Sequence, residues 1–326
     1  MENIIRQMEQ CQLCPRKCGV NRNKGETGFC GQTAVLKVAR AALHMWEEPC
    51  ISGSKGSGTV FFSGCTLRCV FCQNHNIAAG NVGAEISVER LAEIFLELQE
   101  QGANNINLVT GGHFIPQIVE ALKIAKENGL QLPVVYNTSG YEEVETLKML
   151  DGFVDIYLPD FKYVDKEISQ KYSRAKDYYE KATAAIAEMA KQVGEPVFVK
   201  ESELGKRGRQ YFSKEDYQDW EEEELLIMTK GLIVRHLLLP GCKEDTKKVL
   251  DYLLNNYREN IFISVMNQYT PLPHVADYPE LTVKVPSEEY EEILDYAIDK
   301  EIEYGFFQEG DTALDSFIPE FDGKGV

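Results

Sequence analysis

The stretch GCTLRCVFCQN, residues 64–74, sets three cysteines within eight positions, at Cys65, Cys69 and Cys72. Thiolates this close together are metal ligands or redox partners. A closed metal site takes four ligands, whether around one zinc or with one cysteine on each iron of a cubane cluster. Three leave a position open for an exogenous group. Redox thiols, or a zinc site completed by His75 or His113, are the alternatives for the same residues. A second set, Cys11, Cys14, Cys18 and Cys30, does reach four, with Gly25 and Gly28 supplying turns in its longest interval. Four thiolates can close a structural zinc site or hold an auxiliary cluster. A segment with few long apolar runs needs such a metal to order it. These two sets account for seven of the nine cysteines, and their short spacings suit metals better than disulfides. Cys50 and Cys242 read as ordinary small residues.

The elements that must position these residues alternate. TVFFSG (59–64), NINLVT (105–110), PVVYNT (133–138), VDIYLPD (154–160), LIVRHLLLPG (232–241) and NIFISVMNQYTP (260–271) are β-branched or aromatic runs ending in turn residues, and read as six strands. Helical spacing separates them, as at Val88, Leu91, Phe95 and Leu98, or Val249, Leu253 and Leu254. Near-continuous apolar strands alternating with helices make an α/β fold with a parallel sheet, either open or curled into a full or partial barrel. In each case chemistry belongs at the C-terminal ends of the strands. Those ends carry the three cysteines, TGGHF, NTSGY, DFK and PGC. Of Arg235 and His236 on the fifth strand, alternation sends only one inward, and Arg235 is the candidate. Residues 1–50 lie outside this rhythm as a Cys-rich extension of the 51–326 domain. Within that domain residues 195–224 read as a hairpin-like insertion.

Composition bounds the partners. A formal net charge of −18 argues against nucleic acid, whose phosphates need a basic face. The first 40 residues carry seven basic against three acidic side chains, whereas the chain from Asp277 onward carries three against fifteen. Solvated surface accounts for this asymmetry, and the sharper reading is a basic N-terminal part that docks an acidic electron donor. The N-terminal residues lack the apolar core of a signal peptide, and no run has the length of a membrane span. The expected address is the cytoplasm.

The C-x3-C-x2-C spacing with Phe71 between its last two cysteines resembles the signature of radical S-adenosylmethionine enzymes. FFSGCTLRCVFCQN and YLPDFK are similar to the activating enzymes of pyruvate formate-lyase and other glycyl-radical enzymes. CQLCPRKCGVNR, YNTSGYE and FIPEFD place the chain in an activating-enzyme-like branch of that family. The resemblance implies a partial (βα)6 TIM-type barrel in which Cys65, Cys69 and Cys72 hold a [4Fe-4S] cluster, with S-adenosylmethionine chelating the fourth iron. It implies reductive cleavage to a 5'-deoxyadenosyl radical, reduced flavodoxin or ferredoxin as electron donor, and a protein or peptide substrate, with no membrane partner.

Residue by residue, Gly111 and Gly112 match a Gly-Gly-Glu stretch at the methionine end of the cofactor, and His113 departs from its acid. Asn137 and Thr138 stand where cofactor-proximal polar residues stand, and Asp160 and Lys162 match an Asp-x-Lys that meets the cofactor's carboxylate region. Phe71 is the candidate to pack on adenine. An iron-sulfur electron carrier would leave GGH, NTSGY and DFK unexplained. Radical modification of another peptide or a small molecule is the alternative within enzymes. For a protein substrate, Phe306, Phe307, Phe317 and Phe321 and the acidic insertion are the expected contacts.

Overall fold

The computed structural model describes residues 2–308 and 321–326, so Phe317 lies outside the described residues. The described residues form ten strands: β1 (Leu36–His44), β2 (Ser57–Phe62), β3 (Ala84–Ile86), β4 (Ile106–Val109), β5 (Val134–Thr138), β6 (Ile156–Pro159), β7 (Val197–Lys200), β8 (Leu226–Leu237), β9 (Phe262–Met266) and β10 (Gly305–Phe307). The sheet runs β10-β9-β8-β6-β5-β4-β2-β1-β3, with β7 paired to β8 off this path. From β2 through β10 every neighbour along the path is parallel. The two ends of the path do not pair, so the barrel is partial.

Both faces of the parallel strands are covered, and β2, β4, β5, β6 and β9 are buried along their whole length. Alternation divides their side chains. Tyr136, Tyr157, Leu232, Val234, Ile263 and Val265 enter the core shared with the surrounding helices. Helix Val88–Glu100 is one of these. Ser87 caps it by accepting from the Arg90 amide, and Leu91, Ala92, Phe95 and Leu98 form its buried face. The inward residues Val135, Ile156, Leu158, Ile233 and Phe262 instead gather with Phe198, Leu226, Met228, Cys50 and Ile51 in a separate apolar cluster. That cluster fills the barrel on the side where the strands begin. Further along the same inward rows stand Asn137, Asp160, Arg235 and Ser264, so the interior turns polar toward the strands' C-terminal ends.

The structure departs from the sequence reading in three places. Leu36–His44 is a full member of the sheet, antiparallel to β2, so the Cys-rich extension ends before Leu36 rather than at residue 50. A bulge between Val38 and Arg40 breaks its alternation. Gly305–Phe307 adds a seventh parallel strand beyond the six expected, too short to carry a pattern. Within 195–224 only β7 is a strand, and it pairs antiparallel with the first half of β8, which starts after the insertion at Leu226; Phe198 of β7 belongs to the apolar plug at the far end from the polar interior. Past Val38, where β3 ends, the exposed edge of β1 is met by the C-terminal residues: the Ala41 amide donates to the Lys324 carbonyl (2.9 Å) and the Gly323 amide to that of Ala39 (3.2 Å). Among the described residues no helix is long and apolar enough to cross a membrane.

Candidate active site

The chain leaving β2 carries the three cysteines in a loop that the N-terminal segment supports from behind. Gly64 opens the loop at φ +85, and a Cβ there would lie 2.6 Å from the Cys30 carbonyl oxygen, so glycine alone fits. The loop's carbonyls at Thr66 and Leu67 accept from the Arg16 guanidinium at 2.9 and 3.3 Å, and Arg16 also holds the carbonyls of Ser173 and Arg174. The Leu67 and Arg68 amides point at the Cys65 sulfur, each 3.4 Å away, and the Ser173 hydroxyl donates to Cys69 Sγ at 3.0 Å. Burial pushes the Cys65 thiol up to about 11 and raises Cys72 further.

Cys65, Cys69 and Cys72 line one cavity of about 230 Å³ with Phe71, Asn137, Thr138, Asp160, Lys162 and Arg235. Nine residues singled out in the sequence thus converge. Gly111 and Gly112 do not form part of this wall: Gly111 faces Phe62 and Ile118, Gly112 faces Glu142, and Thr110 lines the cavity instead. His113 turns away and is fully buried, its Nε2 donating to the Ser63 carbonyl at 2.7 Å. Burial lowers it to about 3, so it is neutral, and it steadies the end of β2.

A network of charges lines the same cavity. Arg235 donates to Asp160 (3.0 Å), Asn137 (2.6 Å) and Glu47 (3.1 Å), and Lys162 bonds Asp160 at 2.7 Å. Burial alone would raise Asp160, but Lys162 and Arg235 outweigh it and hold the carboxylate below its ordinary range. Burial would lower Lys162, and Asp160 reverses this. Phe71 is 6% exposed, its ring edge-on to Tyr163 and Tyr172, with Lys162 Nζ 5.9 Å from its centre. Two participants were missed. Glu47 accepts from the side-chain amides of Asn107 (2.9 Å) and Asn137 (3.3 Å), and its only signal was an acid pair ahead of a proline in WEEPC. Glu142 sits buried beneath Thr138, which donates to it, and burial raises it to about 7.

His236, on the other face of β8, holds the DFK turn in place. The Phe161 carbonyl can only accept, so Nδ1 donates to it (2.7 Å) and Nε2 accepts from the Thr246 hydroxyl (2.8 Å). Burial lowers His236 to about 4 against 6.5 in the open chain. Its contribution is complete above the unfolded value and is lost as pH falls toward the folded one. Between about pH 7 and about pH 5.5 the wild type should lose about 1 kcal/mol more than His236→Gln, read by anaerobic denaturant unfolding at both pH values.

The N-terminal cysteines form a different group. Cys11, Cys14 and Cys30 are buried, Cys18 is exposed, and Gly28 is glycine where a Cβ would lie 2.3 Å from the Cys18 sulfur. Burial raises Cys14 to about 12, with Cys30 and Cys11 adding to it. Among the described residues no three His, Cys, Asp or Glu side chains are gathered as ligands of a single ion, so no zinc tetrahedron is preformed at these thiols. Two of the basic residues of this segment are committed internally, while Arg6, Lys17 and Lys24 are exposed. Arg22 is 1% exposed and binds the carbonyls of Thr33 and His113, and Arg16 is committed to the loop.

Comparison with known proteins bears on the thiol cavity. Residues 59–200 match the Radical SAM superfamily. This chain carries a radical SAM domain. An uncharacterized protein of Methanocaldococcus jannaschii is 29% identical over 297 residues, 89% of this chain and 74% of that one. The pyruvate formate-lyase-activating enzyme of Clostridium pasteurianum is 32% identical over 157 residues, 44% of this chain and 63% of that one. Crystal structures of Streptococcus suis SuiB, bound to precursor peptide SuiA and to S-adenosylmethionine, give TM-scores of 0.46 and 0.45 at 14% identity, covering 76% of this chain. This chain spans about half of SuiB, 46% and 48% in the two structures. Radical SAM membership implies a [4Fe-4S] cluster and S-adenosylmethionine. The donor set fits: three thiols line one cavity, two of their sulfurs already accept hydrogen bonds, and polar and charged groups line the same cavity. One thiolate on each of three irons would also stand wider apart than the ligands of one ion.

Proposed function

We propose that this radical SAM enzyme holds its cluster on Cys65, Cys69 and Cys72 and acts on a polypeptide, as an activating enzyme that generates a glycyl radical on a partner protein. The observation that carries the cofactor assignment is the meeting of the three thiols with Phe71, Asn137, Thr138, Asp160, Lys162 and Arg235 in one cavity. Cluster and S-adenosylmethionine, when bound and reduced by flavodoxin or ferredoxin, supply a 5'-deoxyadenosyl radical that abstracts hydrogen. The protein's residues orient and shield. Lys162, held by Asp160, offers an ammonium to the cofactor's carboxylate, while Phe71 presents a flat apolar surface to adenine. Arg235 and Asn137 fix the Asp160 side of the cavity. The N-terminal thiols bind a metal of their own, in a segment that extends to about residue 35.

A polypeptide substrate is supported by the partial barrel, whose unpaired ends leave a side open, and by the similarity to a pyruvate formate-lyase-activating enzyme. The test is label transfer. Anaerobic co-purification should yield a partner with a glycine-bearing loop, and a peptide of that loop with deuterated glycine should pass deuterium into 5'-deoxyadenosine. Transfer from a small metabolite alone, with proteins and peptides inert, overturns the activating-enzyme role.

A further inference from the structure

Beyond the thiol cavity lies a second one of about 380 Å³, and the two share Trp46, Glu47, Arg235, Met266 and Gln268 as a common wall. Its own lining includes Glu48, Ser264, Phe306, Phe307 and Gln308. Glu47 and Glu48 are consecutive, yet they have different fates. Glu47 is engaged by Arg235 and two asparagine amides. Glu48 is 8% exposed; Ser264 hydrogen-bonds its carboxyl, but its Oε2 is buried with no hydrogen-bond partner. It precedes the short helix Pro49–Ser52 at the N-cap position but makes no side-chain cap, so helix capping does not explain its burial. A buried carboxylate oxygen without a donor is costly and needs a reason.

The charges around it name the missing group. Asp160, Glu47 and Glu48 all act on Arg235, and Lys162 is the other cation of the network. Three carboxyl groups therefore share two cations, and Glu48, which burial raises against the pull of Arg235, is the one with no cation in hydrogen-bond contact. A ligand that brings a positive charge restores the balance. The rest of the wall suits the stem of a long basic side chain, because Phe306, Phe307 and Met266 are apolar and lie in the same cavity as the carboxylate.

We infer that the second cavity seats a lysine or arginine side chain of the polypeptide substrate, with its cationic head at Glu48. The inference rests on the polypeptide reading above and narrows it: the basic residue anchors the segment, and the shared wall at Glu47 and Arg235 sets the neighbouring residues over the thiol cavity. Two of the aromatics expected to contact a substrate, Phe306 and Phe307, thereby gain a role, whereas Phe321 packs on Phe61 with ring centres 5.3 Å apart.

The test uses anaerobically reconstituted enzyme with S-adenosylmethionine and three labelled peptides blocked at both ends: acetyl-glycyl-lysyl-glycinamide, its arginyl counterpart and its uncharged norleucyl counterpart. By equilibrium dialysis the two basic peptides should bind about tenfold more tightly than the norleucyl one. Glu48→Gln should abolish the preference, and Glu288→Gln, at an exposed carboxylate outside the cavity lining, should keep it. Equal binding of all three peptides to the wild type overturns the inference without any variant, and so does a preference that survives Glu48→Gln. If label still passes from a peptide glycine while charge makes no difference, only this inference falls. If no polypeptide yields label, the parent reading falls instead.

Discussion

Cys65→Ala is expected to reduce S-adenosylmethionine cleavage more than about a thousandfold, because the three thiolates act as a unit and losing one forfeits the whole site. The wild type, reconstituted anaerobically, should give a reduced-cluster spin signal that changes when the cofactor is added, and the variant should give neither signal nor methionine. The Cys65 sulfur is the one that two backbone amides address, so alanine there also removes hydrogen bonding that tunes the cluster. A wild-type protein with full iron loading that neither binds nor cleaves the cofactor would sink the assignment. The same experiment separates the two cysteine sets. With Cys65, Cys69 and Cys72 all replaced by alanine, metal analysis should still find a stoichiometric metal on the N-terminal cysteines. Finding neither iron nor zinc would show that Cys11, Cys14, Cys18 and Cys30 are not a metal site.

The second large effect is on stability. Arg235→Met should cost about 3–5 kcal/mol, since it strands Asp160 and Glu47 as carboxylates without their guanidinium partner in a buried place. Burial already pushes Glu47 upward against the pull of Arg235, so the variant should bind extra protons at neutral pH. Anaerobic denaturant unfolding measures the loss. Arg258→Met is the comparison, because its pairing with Glu301 is exposed on both sides and should be worth at most about 1 kcal/mol. Equal costs for the two variants would mean that the network at the strand ends does not hold the barrel together.

What the sequence made legible follows from burial. The six parallel strands stood out because both of their faces are covered, which writes a continuous apolar run into each, and their ends stood out because chemistry collects there. Alternation sends one of Arg235 and His236 inward, and Arg235 is the one that lines the cavity. β1 was missed for the opposite reason: Lys37 and Arg40 interrupt its apolar residues and a bulge shifts its phase. Glu47 and Glu48 lie in a connection ahead of β2, where no period assigns a direction to a side chain, and only the sheet's curvature brings them to Arg235. Gly111 and Gly112 came from likeness of motif. In this chain Thr110 takes the wall, and the glycines give room to Ile118, Phe62 and Glu142 behind it.

The pairing of the C-terminal residues with β1 has a bearing on solubility. An uncovered strand edge is a template for another chain, and sheets ordinarily blunt it with charge, a bulge or a covering segment. Here β3 covers only the Leu36–Val38 end of β1, and the continuation at Ala39–Ala41 is occupied by Gly323 and Lys324. Gly325 sits so close to the Ala41 carbonyl that any side chain would push this cover off, and its φ of +75 excludes one on backbone grounds as well. Removing the last six residues would leave a bare stretch of β-ladder beside Phe61, freed of its Phe321 partner, and the shortened protein would meet its own copies edge to edge.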